Sequence, residues 1–150
     1  FVEGPCLDPD IETIAWRTDA LAVCAAPDHP LARLPAVEPA DLRRHGWILR
    51  ERGSGTRDVV EQLLEAQLGT MPLTLELGDT EAIKRAVEAG MGISCLPMIA
   101  LQEALERRTL VLLPTPFLRL SRRFHILLHR QKYRSEGVER FLAYCLAHAG

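Results

Sequence analysis

The sequence contains no apolar run of membrane-spanning length and no signal-peptide pattern, so no membrane-crossing helix is expected within these residues. Its four cysteines, Cys6, Cys24, Cys95 and Cys145, lie far apart without a Cys-x-x-Cys pair, which argues against a zinc knuckle or a dithiol centre. Cys24, Cys95 and Cys145 sit inside apolar segments and read as small, inert core residues, so a reducing, cytoplasmic setting fits best. Lysine is almost missing: Lys84 and Lys132 are the lysines among 18 basic residues. Strong charge of either sign is missing too. A formal net charge of −2 argues against a nucleic-acid-binding surface within these residues, because a phosphate backbone demands a basic face. No internal repeat or low-complexity tract is present.

What remains is an ordinary globular composition. At 150 residues, 47% hydrophobic and 25% charged, the chain has the length and apolar content of one domain with a real core. The informative stretch runs from Trp47 to Leu68. A short apolar run, Trp47-Ile48-Leu49, meets the small-residue bend Gly53-Ser54-Gly55-Thr56, and Val60, Leu63, Leu64 and Leu68 then recur at helical spacing. The pattern predicts a strand, a bend and a helix over about Thr56–Gln67. A helix start carries amides without intrahelical partners and a partly positive dipole end. Gly53 and Gly55 would let a ligand approach the backbone, and Ser54 and Thr56 would add hydroxyls. Arg50, Arg52 and Arg57 crowd the same end, offset by Glu51 and Asp58.

Two readings of the bend stay open at this point. It is a cradle for a small anion, or Ser54 or Thr56 simply caps the helix while Arg57 pairs with Glu61 one turn on. A nucleotide-hydrolase phosphate loop is disfavoured, because Gly-Ser-Gly-Thr-Arg lacks the Gly-Lys-Ser/Thr that serves terminal phosphates and magnesium.

Elsewhere, Ile11–Trp16 and Leu21–Ala26 read as two strands separated by Arg17-Thr18-Asp19, and Pro27-Asp28-His29-Pro30 as a turn holding His29. Leu73, Leu75 and Leu77 alternate as a strand. Asp79 or Thr80 starts a helix carrying Ala82, Ile83, Ala86 and Val87, and both residues are candidate ligand contacts. Gly90-Met91-Gly92 turns into a buried strand, Ile93–Pro97, followed by a helix from Met98 and a strand at Leu110–Leu113. Arg122–Arg130 is a strand, and Ser135 caps a last helix. His125 and His129 share a strand face, but no third ligand of matching type is apparent, so they read as solvent-facing or hydrogen-bonded, with no metal site. Strands alternating with helices from Trp47 to Leu113 predict a mostly parallel sheet whose strand ends carry the ligand loops Arg50–Thr56 and Gly78–Thr80. Glu3, Asp79 and the histidines offer no nucleophile–base pair recognisable by spacing, so neither enzyme activity nor a cofactor is expected.

Three stretches in order, Ala25-Ala26-Pro27-Asp28-His29-Pro30-Leu31-Ala32, Ile48-Leu49-Arg50-Glu51-Arg52-Gly53-Ser54-Gly55-Thr56-Arg57 and Val87-Glu88-Ala89-Gly90-Met91-Gly92-Ile93-Ser94-Cys95-Leu96-Pro97, carry a resemblance. Together the chain resembles the effector-binding domain of LysR-type transcriptional regulators, in the branch tied to sulfur assimilation and carbon fixation, whose effectors tend to be small anions. The resemblance implies an α/β fold of the type 2 periplasmic-binding-protein kind, with one complete lobe and part of the second. Residues 1–17 would be a remnant of lobe I and the crossover, 18–130 lobe II, and 131–150 a helix returning to lobe I. It implies effector contacts at Gly53, Ser54, Gly55 and Thr56 and, from the strand entering the crossover, Glu3 and Gly4. A homodimeric or homotetrameric parent would bind DNA through a helix-turn-helix lying upstream of these residues. A solute-binding protein of a transport system, which shares the fold, is the alternative.

Overall fold

A computed structural model of the chain describes residues 2–3 and 6–148. The elements run β1 (Val2–Glu3), β2 (Ile11–Ala25), α1 (Pro39–Leu42), β3 (Trp47–Arg50), α2 (Gly55–Leu68), β4 (Leu73–Leu77), α3 (Thr80–Glu88), β5 (Ser94–Pro97), α4 (Met98–Glu106), β6 (Val111–Leu112), β7 (Ser121–His129) and α5 (Glu136–Ala147). A single 3-10 turn, Pro30–Arg33, follows β2, and His29 starts it as the sequence suggested, its Nδ1 accepting from the Leu31 amide at 3.3 Å. The chain forms two compact units, residues 1–19 with 121–150 and residues 20–120.

The first unit pairs β1 with β7 antiparallel, and β7 lies beside β2. Its core is Ile126, Leu142 and Cys145, with Ile14, Trp16 and Leu128 packed against them. The two strands read into 11–26 are one strand of 15 residues. The polar middle stays extended because its charge is answered from far along the chain. Two guanidinium N–H groups of Arg122 donate to Asp19 Oδ2 at 3.0 and 2.8 Å, and both side chains are nearly buried. The same Arg122 lies over the Phe124 ring, 4.6 Å from its centroid.

The second unit holds two apolar clusters. Between them runs a short parallel arrangement: β3 pairs with β4, and Trp47 bridges Ile93 in parallel on its other side. Trp47 and Ile48 have no exposed surface, and the Trp47 indole donates to the Leu42 carbonyl at 3.2 Å. The Ser94 hydroxyl donates to the Ile48 carbonyl at 2.7 Å. β5 and β6 instead meet β2 antiparallel, so the expected mostly parallel sheet is mixed. The alternation of strand and helix was read correctly, but β2, which precedes it, supplies the antiparallel partner. Of the predicted stripe, helix α2 buries Val60, Leu64 and Leu68, while Leu63 is only partly buried against the same core.

Cys24, Cys95 and Cys145 are buried, as expected from their apolar surroundings. Burial pushes the Cys24 thiol up to about 12, against a backbone hydrogen bond at Ser94 that acts the other way. Among the described residues no helix is long and apolar enough to cross a membrane.

One close approach fixes the strand crossing. A Cβ added at Gly92 would sit 2.5 Å from the Gly46 carbonyl oxygen, which itself accepts from the Ile93 amide at 2.9 Å. Gly78 has nothing within 4 Å of an added Cβ. Gly92→Ala is therefore expected to lower stability by about 2 kcal/mol through backbone displacement, while Gly78→Ala is neutral or stabilising by roughly 0.5 kcal/mol. Urea denaturation of the two variants checks both values, and equal midpoints would contradict the tight crossing.

Candidate functional site

Because β3 and β4 are parallel and Arg50 is registered against Leu77, their carboxyl ends lie side by side. Each then turns into a helix, α2 after Ser54 and α3 after Asp79. The strand that carries Ile93 runs the same way and turns into α4 at Pro97. The predicted ligand loops, Arg50–Thr56 and Gly78–Thr80, are thus brought to one sheet edge, where helix starts gather.

The bend is built by local geometry. The Glu51 amide continues the ladder to the Leu77 carbonyl at 3.2 Å, and the Ser54 amide closes a turn onto the Glu51 carbonyl at 3.2 Å. Gly53 occupies φ +88, a left-handed conformation that only glycine adopts cheaply. Ser54 stands at the N-cap of α2 with extended backbone angles, and its carbonyl accepts the first helical bond from Asp58 at 3.0 Å.

The two helix starts differ in how they are finished. Asp79 caps α3, its carboxylate accepting from the Ala82 amide at 2.9 Å, and Glu81 adds a second acid in that first turn. The positive end of α3 is supplied with negative charge by the protein itself. Ser54 makes no capping bond with its side chain, although the residue is only 8% exposed. Its hydroxyl stands at a positive helix end without the task that serine usually performs there. Gly55 is exposed and Thr56 half-buried beside it. Of the two readings of this bend, simple capping by Ser54 is not what the structure contains.

The arginines are arranged differently from the expected cationic rim. Arg57 is 4% exposed, and its guanidinium donates to Glu61 at 2.7 Å, to Glu76 at 2.5 Å and to the Arg50 carbonyl at 2.9 Å. Burial works to lower its pKa, but the hydrogen bonds to Glu61 and Glu76 outweigh it and leave the group held above its ordinary value. Pairing with Glu61, the local alternative, is realised, and an attracting role for Arg57 is corrected by it: the charge is already spent. Arg50 donates to both Glu51 carboxylate oxygens at 2.8 and 2.9 Å. That hydrogen bond holds the Glu51 carboxyl below the usual carboxylate range. Arg52 is exposed.

The remaining candidates are placed less closely. Thr80 opens α3 and is half-buried at the same edge. Glu3 lies in β1, its backbone registered with Phe124 in the first unit, whereas Ser54 and Asp79 belong to the second. Gly4 lies outside the described residues. His129 Nδ1 accepts from the Gln131 amide at 3.2 Å, whereas His125, a half-buried residue, has its Nδ1 enclosed without a partner. Among the described residues no group of three or more His, Cys, Asp or Glu is placed to hold a metal ion.

A family model described as the LysR substrate binding domain matches residues 1–150. The HTH-type transcriptional regulator YeiE of Escherichia coli K12 is 46% identical over 145 residues, 97% of this chain and 49% of its own length. A RuBisCO operon transcriptional regulator of Allochromatium vinosum is 31% identical over 97% of this chain and 48% of its own. The chain thus spans about half the length of the curated relatives it matches. The regulatory domain of CcmR from Synechocystis PCC6803, solved in complex with 2-PG (2-phosphoglycolate), superposes with a TM-score of 0.87 at 33% identity, covering 99% of this chain and 71% of that one.

The different finishing of the two helices predicts different costs on truncation. Without added anion, Asp79→Ala is expected to lower stability by about 1 kcal/mol, and Ser54→Ala to leave it nearly unchanged. Denaturant titration of both separates them. A loss at Ser54 as large as that at Asp79 would make Ser54 a structural cap.

Proposed function

The chain belongs to the LysR substrate-binding-domain family, the effector-sensing part of LysR-type transcriptional regulators with the type 2 periplasmic-binding-like fold, and on that premise we propose that it binds a small anion at the start of α2. Ser54 and Thr56 donate hydroxyl hydrogen bonds, and the glycines on either side of Ser54 leave the backbone amides reachable. Thr80 contributes from the neighbouring helix start. Glu3 and Gly4 are assigned to the effector by the family resemblance alone. The observation that carries this reading is the Ser54 hydroxyl, which does not cap the helix at whose positive end it stands, although the residue is largely buried. In this scheme residues 20–120 are the effector lobe, and residues 1–19 with 121–150 are the part that links it to the rest of the regulator.

The relatives are transcriptional regulators, so we read the domain as a sensor without enzyme activity, and not as the binding protein of a transporter. DNA contact belongs to the remainder of a parent protein, a homodimer or homotetramer working in the cytoplasm. The effector acts by preferring one arrangement of that assembly, since equal affinity for two states shifts neither. The ligand of CcmR, 2-phosphoglycolate, is a small anion and is the natural first probe, alongside inorganic sulfate and phosphate.

Calorimetry on the intact regulator tests the site. For the anion that binds best, Ser54→Ala and Thr56→Val are each expected to cost about 1.5–3 kcal/mol, the loss of one hydrogen bond to a charged group. Unchanged affinity in both variants would move the effector elsewhere.

A further inference from the structure

Arg57 is nearly sealed from solvent in the first turn of the helix that opens the bend. Through one nitrogen, Nη1, it holds the Arg50 carbonyl at 2.9 Å and Glu76 at 2.5 Å, and through Nε it holds Glu61 at 2.7 Å. The bond to Arg50 ties the last residue of β3 directly to α2, so the segment between them is a closed loop. The bond to Glu76, whose backbone is registered with Leu49, fastens that loop to the neighbouring strand. One guanidinium between two carboxylates leaves the cluster negative. Such a cluster repels an approaching anion at long range, so attraction is not its use, whereas three hydrogen bonds in a fixed fork suit it to hold geometry.

We propose that Arg57 and Glu76 are positioning residues for the effector bend: they fix the direction in which Ser54, Gly55 and Thr56 present their donors, and neither touches the effector. The inference rests on the effector reading of the bend, and it makes a prediction of opposite sign to the electrostatic one. If Arg57 attracted the anion, deleting the Glu76 carboxylate would release positive charge and tighten binding. As a clasp, it loosens when Glu76 is lost, and binding weakens although a negative charge has been removed.

The experiment measures binding of 2-phosphoglycolate and inorganic sulfate to the full chain and its variants by calorimetry, with backbone amide shifts recorded by NMR. Glu76→Ala and Arg57→Lys are each expected to weaken binding about tenfold, the scale of one well-made hydrogen bond, and to shift the Ser54, Gly55 and Thr56 amides before any anion is added. Val60→Ala, which destabilises the same helix from its core face, is expected to change neither, which separates positioning from general loss of stability. Should Glu76→Ala unfold the chain, Glu76→Gln keeps an acceptor oxygen and is expected to weaken binding in the same direction. Tighter or unchanged binding in the Glu76 variants, with Ser54→Ala still impaired, overturns the clasp alone. Failure of the unaltered chain to bind any of these anions, or full binding by Ser54→Ala, overturns the effector reading and the clasp with it.

Discussion

A helix start can be finished by the protein or left for something else to finish, and the candidate site depends on that choice at α2. The first amides of any helix lack acceptors within it, and the aligned peptide dipoles make that end favour negative charge. α3 meets the requirement internally with the Asp79 carboxylate. α2 places a serine at the same position and does not use its hydroxyl for the purpose. Because Arg50 and Leu77 are registered in parallel, the two starts stand at neighbouring strand ends, so an internal reference for a finished end lies beside the unfinished one. The ends of parallel strands are where ligands gather in open α/β sheets.

The charges around α2 give the site its character. Arg50 is matched by Glu51, and Arg57 by Glu61 and Glu76. On the proposed reading, an anion held here would be recognised by hydrogen-bond donors in a set geometry more than by net positive charge. Recognition of that kind discriminates shape and donor count, and it responds less to salt than a cluster of exposed arginines would. A buried arginine with several partners is also costly to disturb, because removing one partner leaves charge uncompensated away from water. The bend is therefore tied to α2 and to β4 through Arg57, and its left-handed residue, Gly53, is where the chain absorbs the turn.

Much of this was legible in the sequence because it is local. The run Trp47–Leu49, the small residues after it and the stripe Val60, Leu64, Leu68 specify strand, bend and helix within about 20 residues of one another, and the start of α3 was legible as Asp79 or Thr80. Family membership was legible too, through three stretches in order. What could not be read depends on distant partners. Arg17-Thr18-Asp19 looked like a break because it is a polar interruption between two apolar runs, and Arg122, which pairs with Asp19, lies 103 residues away in sequence. Arg57 was visible as a partner of Glu61, four residues on, but not of Glu76, which β-pairing brings to it across 19 residues. No local signal distinguishes a serine that caps from one that does not. The histidine pair on β7 showed the same limit: spacing placed both on one face, but only the packing reveals that His125 Nδ1 is enclosed without a partner.

The most direct test is a crystal structure of the intact regulator grown with its tightest-binding small anion. The account predicts density for that anion at the start of α2, within hydrogen-bonding distance of the Ser54 hydroxyl and the backbone amides beside it, with Arg57 still turned toward Glu61 and Glu76. An anion bound elsewhere, or a Ser54 hydroxyl rotated onto its own helix as an ordinary cap, would contradict it.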